Sequence, residues 1–228
     1  MIYKKKILII GGTGFIGYHL ARKCLKKGWK VTSISSNRPK KIRYLNKVNY
    51  IICDITNKSQ LKKKIKQSFD YIVNLGGYVD HSNKKKTYKS HYEGCKNLTK
   101  IFLKNPPSSF VQIGSSLEYG DKNSPQKEKI KCNFKSIKSV YGKAKLLSSK
   151  HVINLFKKKN FPSIVLRLYQ VYGPRQEINR FLPITIDGCL KNKKFPCSHG
   201  NQLRDFTYVE DVVAAIIKSL KSKNARGQ

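Results

Sequence analysis

Three glycines at intervals of three residues follow the first apolar run of this chain. They are Gly11, Gly14 and Gly17, within the stretch ILIIGGTGFIGYHL of residues 7–20. Glycines between a buried strand and a helix allow a tight turn, and they let a diphosphate approach the backbone at the helix N-terminus. A tight turn that binds nothing would need the same residues. The stretch therefore predicts a strand, a turn and a helix, and makes a dinucleotide the first ligand to consider.

Short apolar runs alternate with longer amphipathic stretches along most of the chain. Hydrophobicity is continuous within the short runs, which is typical of strands buried on both faces of a parallel sheet. We predict strands at 6–10, 30–34, 49–53, 71–75, 110–114 and 163–168, and helices near 15–27, 57–67, 86–104 and 139–159. This alternation predicts an α/β fold with a Rossmann-type, doubly wound parallel sheet. After about residue 170 the pattern changes to a helix, a short strand, a loop and a last helix.

Lysine gives the chain a formal net charge of +36, from 48 basic and 12 acidic residues. Nucleic-acid-binding proteins concentrate their basic residues on one face and use arginine for bidentate contacts. Here lysines occur on every predicted helix and loop, so we expect solvated surface charges and no nucleic-acid partner. The charge would still attract anionic metabolites, including nucleotide diphosphates.

Metal sites and membrane spans find no support in the sequence. The six cysteines have neither C-x-x-C nor histidine spacing, so we expect reduced thiols and no bound metal. No stretch reaches the roughly 18 consecutive apolar residues of a membrane-spanning helix. We therefore expect a protein without a membrane partner.

Six further motifs follow the glycine loop in a fixed order. They are CDITN at 53–57, VNLGG at 73–77, GSSLEYG at 114–120, YGKAK at 141–145, and the pair LRLYQVYGPRQ at 166–176 and RDFTYVEDV at 204–212. Together with the G-x-x-G-x-x-G spacing, they resemble the extended short-chain dehydrogenase/reductase family, of the epimerase/dehydratase type that modifies nucleotide sugars. The resemblance covers nearly the whole chain. It implies a dinucleotide-binding domain at 1–168 and a partial substrate-binding region at 169–228, interleaved with the first domain.

The resemblance implies a set of cofactor-binding residues on the loops that follow the strands. They are Gly11, Gly14, Phe15, Ile16, Gly17, Ser36, Asn37, Arg38, Asp54, Ile55, Leu75, Gly76, Gly77, Tyr141 and Lys145. Family members that prefer NAD place a carboxylate on the ribose diol after the second strand. The stretch SISSNRPK has no acid there, so we expect NADP(H), with Ser36, Asn37 and Arg38 receiving the 2′-phosphate. NAD(H) is the alternative, in which Arg38 is only a loop charge.

The same resemblance implies a catalytic set of Ser115, Tyr141 and Lys145. A tyrosine four residues before a lysine on a helix places both side chains on one face. The lysine ammonium would favour the phenolate and hydrogen-bond the nicotinamide ribose. Tyr141 would move a proton to or from a sugar oxygen while a hydride moves at the adjacent carbon, and Ser115 would hydrogen-bond that oxygen.

Departures from the family pattern narrow the reaction. Sugar 4,6-dehydratases carry an acid/base pair directly after the serine, where this chain has Ser116 and Leu117. Glu118 comes one residue late, so we expect its side chain to point elsewhere and dehydration not to occur. Epimerisation and reduction of a keto sugar remain.

Two other departures concern hydrogen-bonding side chains. His91 stands where the family has a helical asparagine. We favour the interpretation that it is a substitute hydrogen-bond partner near the expected catalytic lysine, and the alternative is that it is a helix residue without a role at the site. Gln170 replaces another asparagine of the family. With Ser116 and Arg204 it forms the substrate-binding set that the resemblance implies, and Arg204 would grip the nucleotide pyrophosphate. The alternative for Arg204 is an ion pair with Asp205 or Asp211.

These residues predict an NADP(H)-dependent nucleotide-sugar 4-ketoreductase in the synthesis of surface polysaccharide precursors. The alternatives are a nucleotide-sugar epimerase with tightly held NAD and a non-catalytic dinucleotide-binding protein. The scattered, reduced cysteines indicate a cytoplasmic protein. The resemblance implies a homodimer, paired through the helices near 86–104 and 139–159 with Ile101 and Leu147 at the interface. Family members usually continue well past the last predicted helix, so we expect the C-terminal region to be incomplete.

Overall fold

The central sheet has six parallel strands. The first three are added towards one edge of the sheet and the next three towards the other edge, so the order of winding reverses in the middle of the sheet. A computed structural model describes residues 4–228. The strands are β1 (Lys6–Ile10), β2 (Lys30–Ser35), β3 (Val48–Ile52), β4 (Tyr71–Asn74), β5 (Ser109–Ser115) and β6 (Ser163–Leu168). Their order is β3-β2-β1-β4-β5-β6, so β1 lies between β2 and β4. In such sheets the crevice for a ligand opens at the carboxyl ends of the strands where the winding reverses. The predicted Rossmann-type sheet is therefore confirmed.

The described residues form seven α-helices, most of which cover the two faces of this sheet. They are α1 (Phe15–Lys26), α2 (Lys58–Lys64), α3 (Lys84–Tyr88), α4 (Gly94–Phe102), α5 (Val140–Lys159), α6 (Phe181–Leu190) and α7 (Val209–Lys221). A π-helical turn, Lys89–Glu93, separates α3 from α4, so the single helix expected near 86–104 is interrupted. Within residues 4–228, no helix is both long and apolar enough to cross a lipid bilayer.

A second, two-stranded parallel sheet forms beyond β6. It pairs β7 (Gln170–Tyr172) with β8 (Phe206–Tyr208). Strand β7 was not predicted, because three residues are too few for a periodic signal. The chain between these strands contains α6, and α7 follows β8 directly.

Two apolar clusters hold the layers together, one on each face of the sheet. Successive residues of β1 alternate between them. Ile7 and Ile9 pack with α1 and α7, whereas Leu8 and Ile10 pack with α2, α4 and α5. Because a strand presents alternate side chains to opposite faces, a continuous apolar run serves both clusters at once.

Candidate active site

The glycine loop packs tightly between β1 and α1. Gly11 has a φ of +78°, a conformation that side chains rarely adopt. A Cβ at Gly17 would collide with the carbonyl oxygen of Gly11, so α1 can approach the loop only with glycine there. Gly14 precedes the first turn of α1 with no side chain to cap it. The backbone N–H groups at the start of α1 are thus left for an anionic ligand.

A cavity of about 720 Å³ opens where the winding reverses. Nine predicted cofactor residues line it: Gly11, Gly14, Ser36, Asn37, Asp54, Ile55, Leu75, Gly76 and Gly77. Of the other predicted residues, Phe15, Ile16 and Gly17 belong to the first turn of α1, and Arg38 is exposed just beyond Asn37. Tyr141 and Lys145 are outside its lining and form the cluster described next.

The cavity walls suit a dinucleotide. A Cβ on Gly76 would lie 2.7 Å from Ile10 Cγ2, so the backbone of this wall stays bare. Lys86 and Lys89 add positive charge to the lining, a contribution that the motifs did not predict. Asp54 keeps one carboxylate oxygen on the backbone N–H of Thr56, at 2.8 Å. These features provide a glycine cradle, cations for a diphosphate and a carboxylate near the loop after β3.

The predicted catalytic residues come from β5 and α5. Ser115 is the last residue of β5, and its hydroxyl accepts a hydrogen bond from the backbone N–H of Leu117, at 3.3 Å. Tyr141 lies in the first turn of α5, and the Nζ of Lys145 is 5.7 Å from the centre of its ring. Lys145 is buried and donates to the carbonyl oxygen of Ile113 in β5, at 2.8 Å. The ammonium therefore lies between the end of β5 and the tyrosine helix.

Two histidines flank the ring of Tyr141. His81 stacks on it, with ring centres 4.1 Å apart and planes 18° apart. His91 meets it edge-on at 4.9 Å. Although much of His81 is exposed, loss of water on the stacked face lowers its pKa, and the nearby positive charges of Arg180 and Lys145 lower it further. Sequence reasoning missed His81 because it lies in a loop outside every motif.

His91 is held by the loop after β4. Its Nε2 lies 3.3 Å from the carbonyl oxygen of Tyr78, and its ring leaves room only for a glycine at position 77. Burial, together with the charge of Lys145, lowers the pKa of His91 to about 2. Its Nδ1 has no hydrogen-bond partner among residues 4–228. The ring is thus a neutral group beside Lys145.

Glu118 points away from the crevice. Its side chain is fully buried, and Oε1 accepts hydrogen bonds from the backbone N–H of Ser115, at 2.9 Å, and the hydroxyl of Ser149, at 3.0 Å. Oε2 pairs with Nε of Arg167 at 3.0 Å. A carboxylate with these partners has no access to a substrate, in keeping with the expected change of side-chain direction.

A second cavity, of about 540 Å³, lies between α6 and β8. Its lining comprises Gln170, Phe181, Thr185, Phe195, Cys197, Ser198, Gly200, Gln202, Arg204 and Phe206. Two predicted substrate residues, Gln170 and Arg204, are therefore brought together. Arg204 donates to the side chain of Gln202 at 2.9 Å, and within the described chain it forms no ion pair with Asp205 or Asp211. The third predicted residue, Ser116, is half-buried at the start of the 3₁₀ turn after β5.

Comparison with known proteins agrees with this architecture. The profile of the NAD dependent epimerase/dehydratase family matches residues 7–228. The chain is 28% identical over 222 residues to a decarboxylating sterol-4-alpha-carboxylate 3-dehydrogenase of Mus musculus, across 92% of this chain and 57% of the relative. It is 26% identical over 237 residues to a UDP-N-acetyl-alpha-D-glucosaminuronate decarboxylase of Bacillus cytotoxicus, across 96% of this chain and 72% of the relative.

A solved structure with a similar fold is the UDP-glucuronic acid 4-epimerase of Bacillus cereus in complex with UDP-glucuronic acid and NAD. It has a TM-score of 0.82 and 26% identity, across 97% of this chain and 75% of the epimerase. The chain thus spans little more than half of the mouse protein and about three quarters of the epimerase. The resemblance inferred from the motifs is confirmed, and because the profile matches almost the whole chain, this protein belongs to the NAD dependent epimerase/dehydratase family.

Proposed function

We infer that this protein reduces the keto group of a nucleotide sugar with NADP(H), as a 4-ketoreductase. The observation that carries this function is the meeting of three features at one edge of the sheet. The dinucleotide-type cavity, the Tyr141–Lys145 pair and the start of β7 all follow the carboxyl ends of the strands. Ser115 and Leu168 are paired in β5 and β6, so the serine lies next to the point where the chain leaves for the second cavity.

The side chains of this cluster divide the proton chemistry among them. When bound, the nicotinamide supplies the hydride that adds to the carbonyl carbon of the sugar. Tyr141 gives its proton to the carbonyl oxygen, which becomes a hydroxyl, and Ser115 donates a hydrogen bond to that oxygen. Lys145 stabilises the phenolate that remains. Its ammonium has three donors, of which one is used on Ile113 in this structure, so two are left for the ribose and for Tyr141.

Residues 169–228 act in this proposal as the substrate-binding region, and 1–168 as the dinucleotide-binding domain. Arg204 suits a pyrophosphate because its planar guanidinium can bind two oxygens at once. Gln170 adds an amide beside it, and three phenylalanines of the second cavity offer faces for a nucleotide base: Phe181, Phe195 and Phe206. Ser116, next to the catalytic serine, would contact the sugar.

The preference for NADP(H) rests on the loop after β2. Ser36 and Asn37 line the cavity and are exposed, and no acid lies between Ser33 and Lys41. Hydroxyl, amide and guanidinium groups suit a 2′-phosphate, whereas a ribose diol is usually bound by a carboxylate. A relative of known structure contains NAD, which favours NAD(H) as the alternative cofactor.

The second candidate function is a nucleotide-sugar epimerase that keeps its cofactor bound. The epimerase fold match and the bound NAD of that neighbour favour it. Incubation of the purified protein with keto and non-keto nucleotide sugars and with each cofactor separates the two, when products are analysed by mass spectrometry and NMR. A ketoreductase consumes one NADPH and one proton for each keto sugar reduced. An epimerase interconverts two isomers without net change in cofactor, and absence of both activities would leave a dinucleotide-binding protein.

A further inference from the structure

The buried carboxylate of Glu118 joins the three elements on which the proposed chemistry depends. Ser115 belongs to β5, Ser149 to α5 and Arg167 to β6, and each donates a hydrogen bond to this one group at 2.9–3.0 Å. Ser149 lies one helical turn after Lys145, so its hydroxyl fixes the same helix that carries Tyr141 and Lys145. No other carboxylate has this position between the serine strand and the tyrosine helix among residues 4–228.

This connection is made by a charged group that is buried in the protein. Glu118 is 0% exposed and Arg167 lies against it, with the guanidinium also 5.1 Å from the ring centre of Tyr119. Burying an ion pair is costly, and apolar residues of similar size commonly stabilise a fold as well. In this pair Glu118 is fully buried and the Arg167 side chain is 23% exposed, and we attribute the pair to the geometry that it enforces, which includes the backbone of Ser115.

Glu118 also caps the 3₁₀ turn that begins after Ser115. The Ser115 hydroxyl accepts from the turn, and the Glu118 carboxylate accepts from the Ser115 backbone, so the two residues form a reciprocal capping box. Ser115 has an extended backbone, with φ −150° and ψ 147°, and this arrangement restrains those angles and with them the direction of its Cβ. The hydroxyl can then be presented to a substrate oxygen only from one orientation relative to α5.

We propose that Glu118 is a positioning residue, which sets the serine hydroxyl of Ser115 against Tyr141 by binding β5, α5 and β6 together. This inference rests on the proposed function for its effect on turnover, but the geometric part stands on the fold alone. A displacement of about 1 Å in a reacting group can reduce turnover by up to roughly 100-fold. Loss of the clamp should therefore lower kcat and leave dinucleotide binding unchanged, because Glu118 does not line the cofactor cavity.

The test compares two buried serines of equal size. Ser149→Ala removes one hydrogen bond to Glu118. The control Ser163→Ala removes a buried hydrogen bond that also joins β6 to α5, from Ser163 to the carbonyl oxygen of Val152, but at the opposite end of the β5–β6 pair from Ser115. We expect Ser149→Ala to lower kcat about fivefold, the usual effect of one net hydrogen bond, with an unchanged dissociation constant for the cofactor. Ser163→Ala should keep the wild-type kcat. Equal kcat in the two variants would overturn the proposal.

Glu118→Gln gives the stronger change. The amide can still accept from Ser115 and Ser149, but its NH₂ group meets the Arg167 guanidinium, so two donors face each other. We expect kcat to fall about 10- to 100-fold, with partial recovery in the double variant Glu118→Gln/Arg167→Gln, where two neutral amides can pair. If Glu118→Gln does not fold, the comparison of kcat between Ser149→Ala and Ser163→Ala tests the proposal by itself.

Amide hydrogen exchange gives a readout that needs no substrate. Ser149→Ala should speed exchange in the peptide that contains Ser115 and the following turn, and Ser163→Ala should not. If the wild-type protein turns over no nucleotide sugar, the proposed function fails, and this exchange difference still supports the clamp. Unchanged exchange in Ser149→Ala would contradict the clamp even in an active enzyme.

Discussion

The imidazole of His81 lies flat against the phenol ring of Tyr141, with ring centres 4.1 Å apart. His81 belongs to the loop between β4 and α3, whereas Tyr141 lies in the first turn of α5, so the stack joins this loop to α5. A stacked aromatic pair contributes about 0.5–1.5 kcal/mol beyond the area that it buries. Such a contact favours one orientation of the tyrosine ring.

Substitutions at His81 should separate stacking from proton transfer. We expect His81→Ala to lower kcat about tenfold at most, because about 1 kcal/mol of ring positioning is lost. His81→Phe keeps a flat aromatic ring and should retain most of the activity, with the pH profile of kcat unchanged. Steady-state kinetics of both variants check this. Equal losses in the Phe and Ala variants would instead assign His81 an acid/base role.

His91 should make the protein less stable in mild acid. Its native pKa is lowered to about 2, whereas the unfolded chain has an ordinary histidine near 6.5. Between these values only the unfolded state binds the proton, so stability is complete above about pH 6.5 and falls as the pH drops below it. One such group contributes a slope of about 1.4 kcal/mol per pH unit.

Urea unfolding at a series of pH values measures this slope. His91→Asn, which replaces the imidazole by a group that does not titrate, should flatten the loss of stability between about pH 6 and pH 4. The matched control is His199→Asn, since His199 is exposed in the loop after α6. A wild-type slope in the His91 variant would show that this ring is not held neutral.

Replacement of Tyr141 by phenylalanine tests the proton donor. Tyr141→Phe keeps the ring that contacts His81 and His91 and removes only the hydroxyl. We expect turnover to fall by roughly two to four orders of magnitude, the usual range for a lost acid/base group, with dinucleotide binding nearly unchanged. Stopped-flow turnover and fluorescence titration of the cofactor give the two numbers. Near-normal turnover would remove Tyr141 from the mechanism.

Arg38 distinguishes the two cofactors. Arg38→Ala should weaken NADPH binding more than NADH binding, because only NADPH carries the 2′-phosphate that a guanidinium can bind. Lys40→Ala is the control, since it removes an exposed positive charge from the same loop. Titration of both variants with both cofactors decides the matter. Equal losses for NADPH and NADH, or a native preference for NADH, would favour the epimerase.

The sequence predicted those parts of the molecule that depend on local pattern. Continuous apolar runs indicated all six strands of the main sheet, because each such strand feeds both core clusters. Glycines and loop residues after the strands indicated nine of the 21 residues that line the cavity, because the parallel sheet brings those loops to one edge.

Contacts between distant side chains could not be predicted in this way. Glu118 and Arg167 are 49 residues apart, and nothing in their spacing indicates that they pair. The stack of His81 on Tyr141 depends on the path of an irregular loop, for which no periodic signal exists. The sequence therefore indicated which residues gather at the site, whereas the partners that orient them emerged only from the fold.

Helices α4 and α5 should pair two subunits of this protein. Ile101 and Leu147 are half-buried on these helices, and Ile101 also packs against the core. We expect both side chains to meet their counterparts across a two-fold axis in a homodimer.

Lys100 and Lys104 are exposed beside Ile101, so the dimer would bring like charges together at its rim. At about 0.15 M salt the Debye length is about 8 Å, which makes this repulsion tolerable. Dimerisation should then strengthen as salt rises, whereas binding of nucleic acid by the same lysines would weaken steeply. Light scattering across a salt series measures the strength of dimerisation. Leu147→Asp should give a monomer, whereas the control Lys150→Asp, at an exposed position, should remain a dimer. A wild-type monomer at every salt concentration would contradict the pairing of these helices.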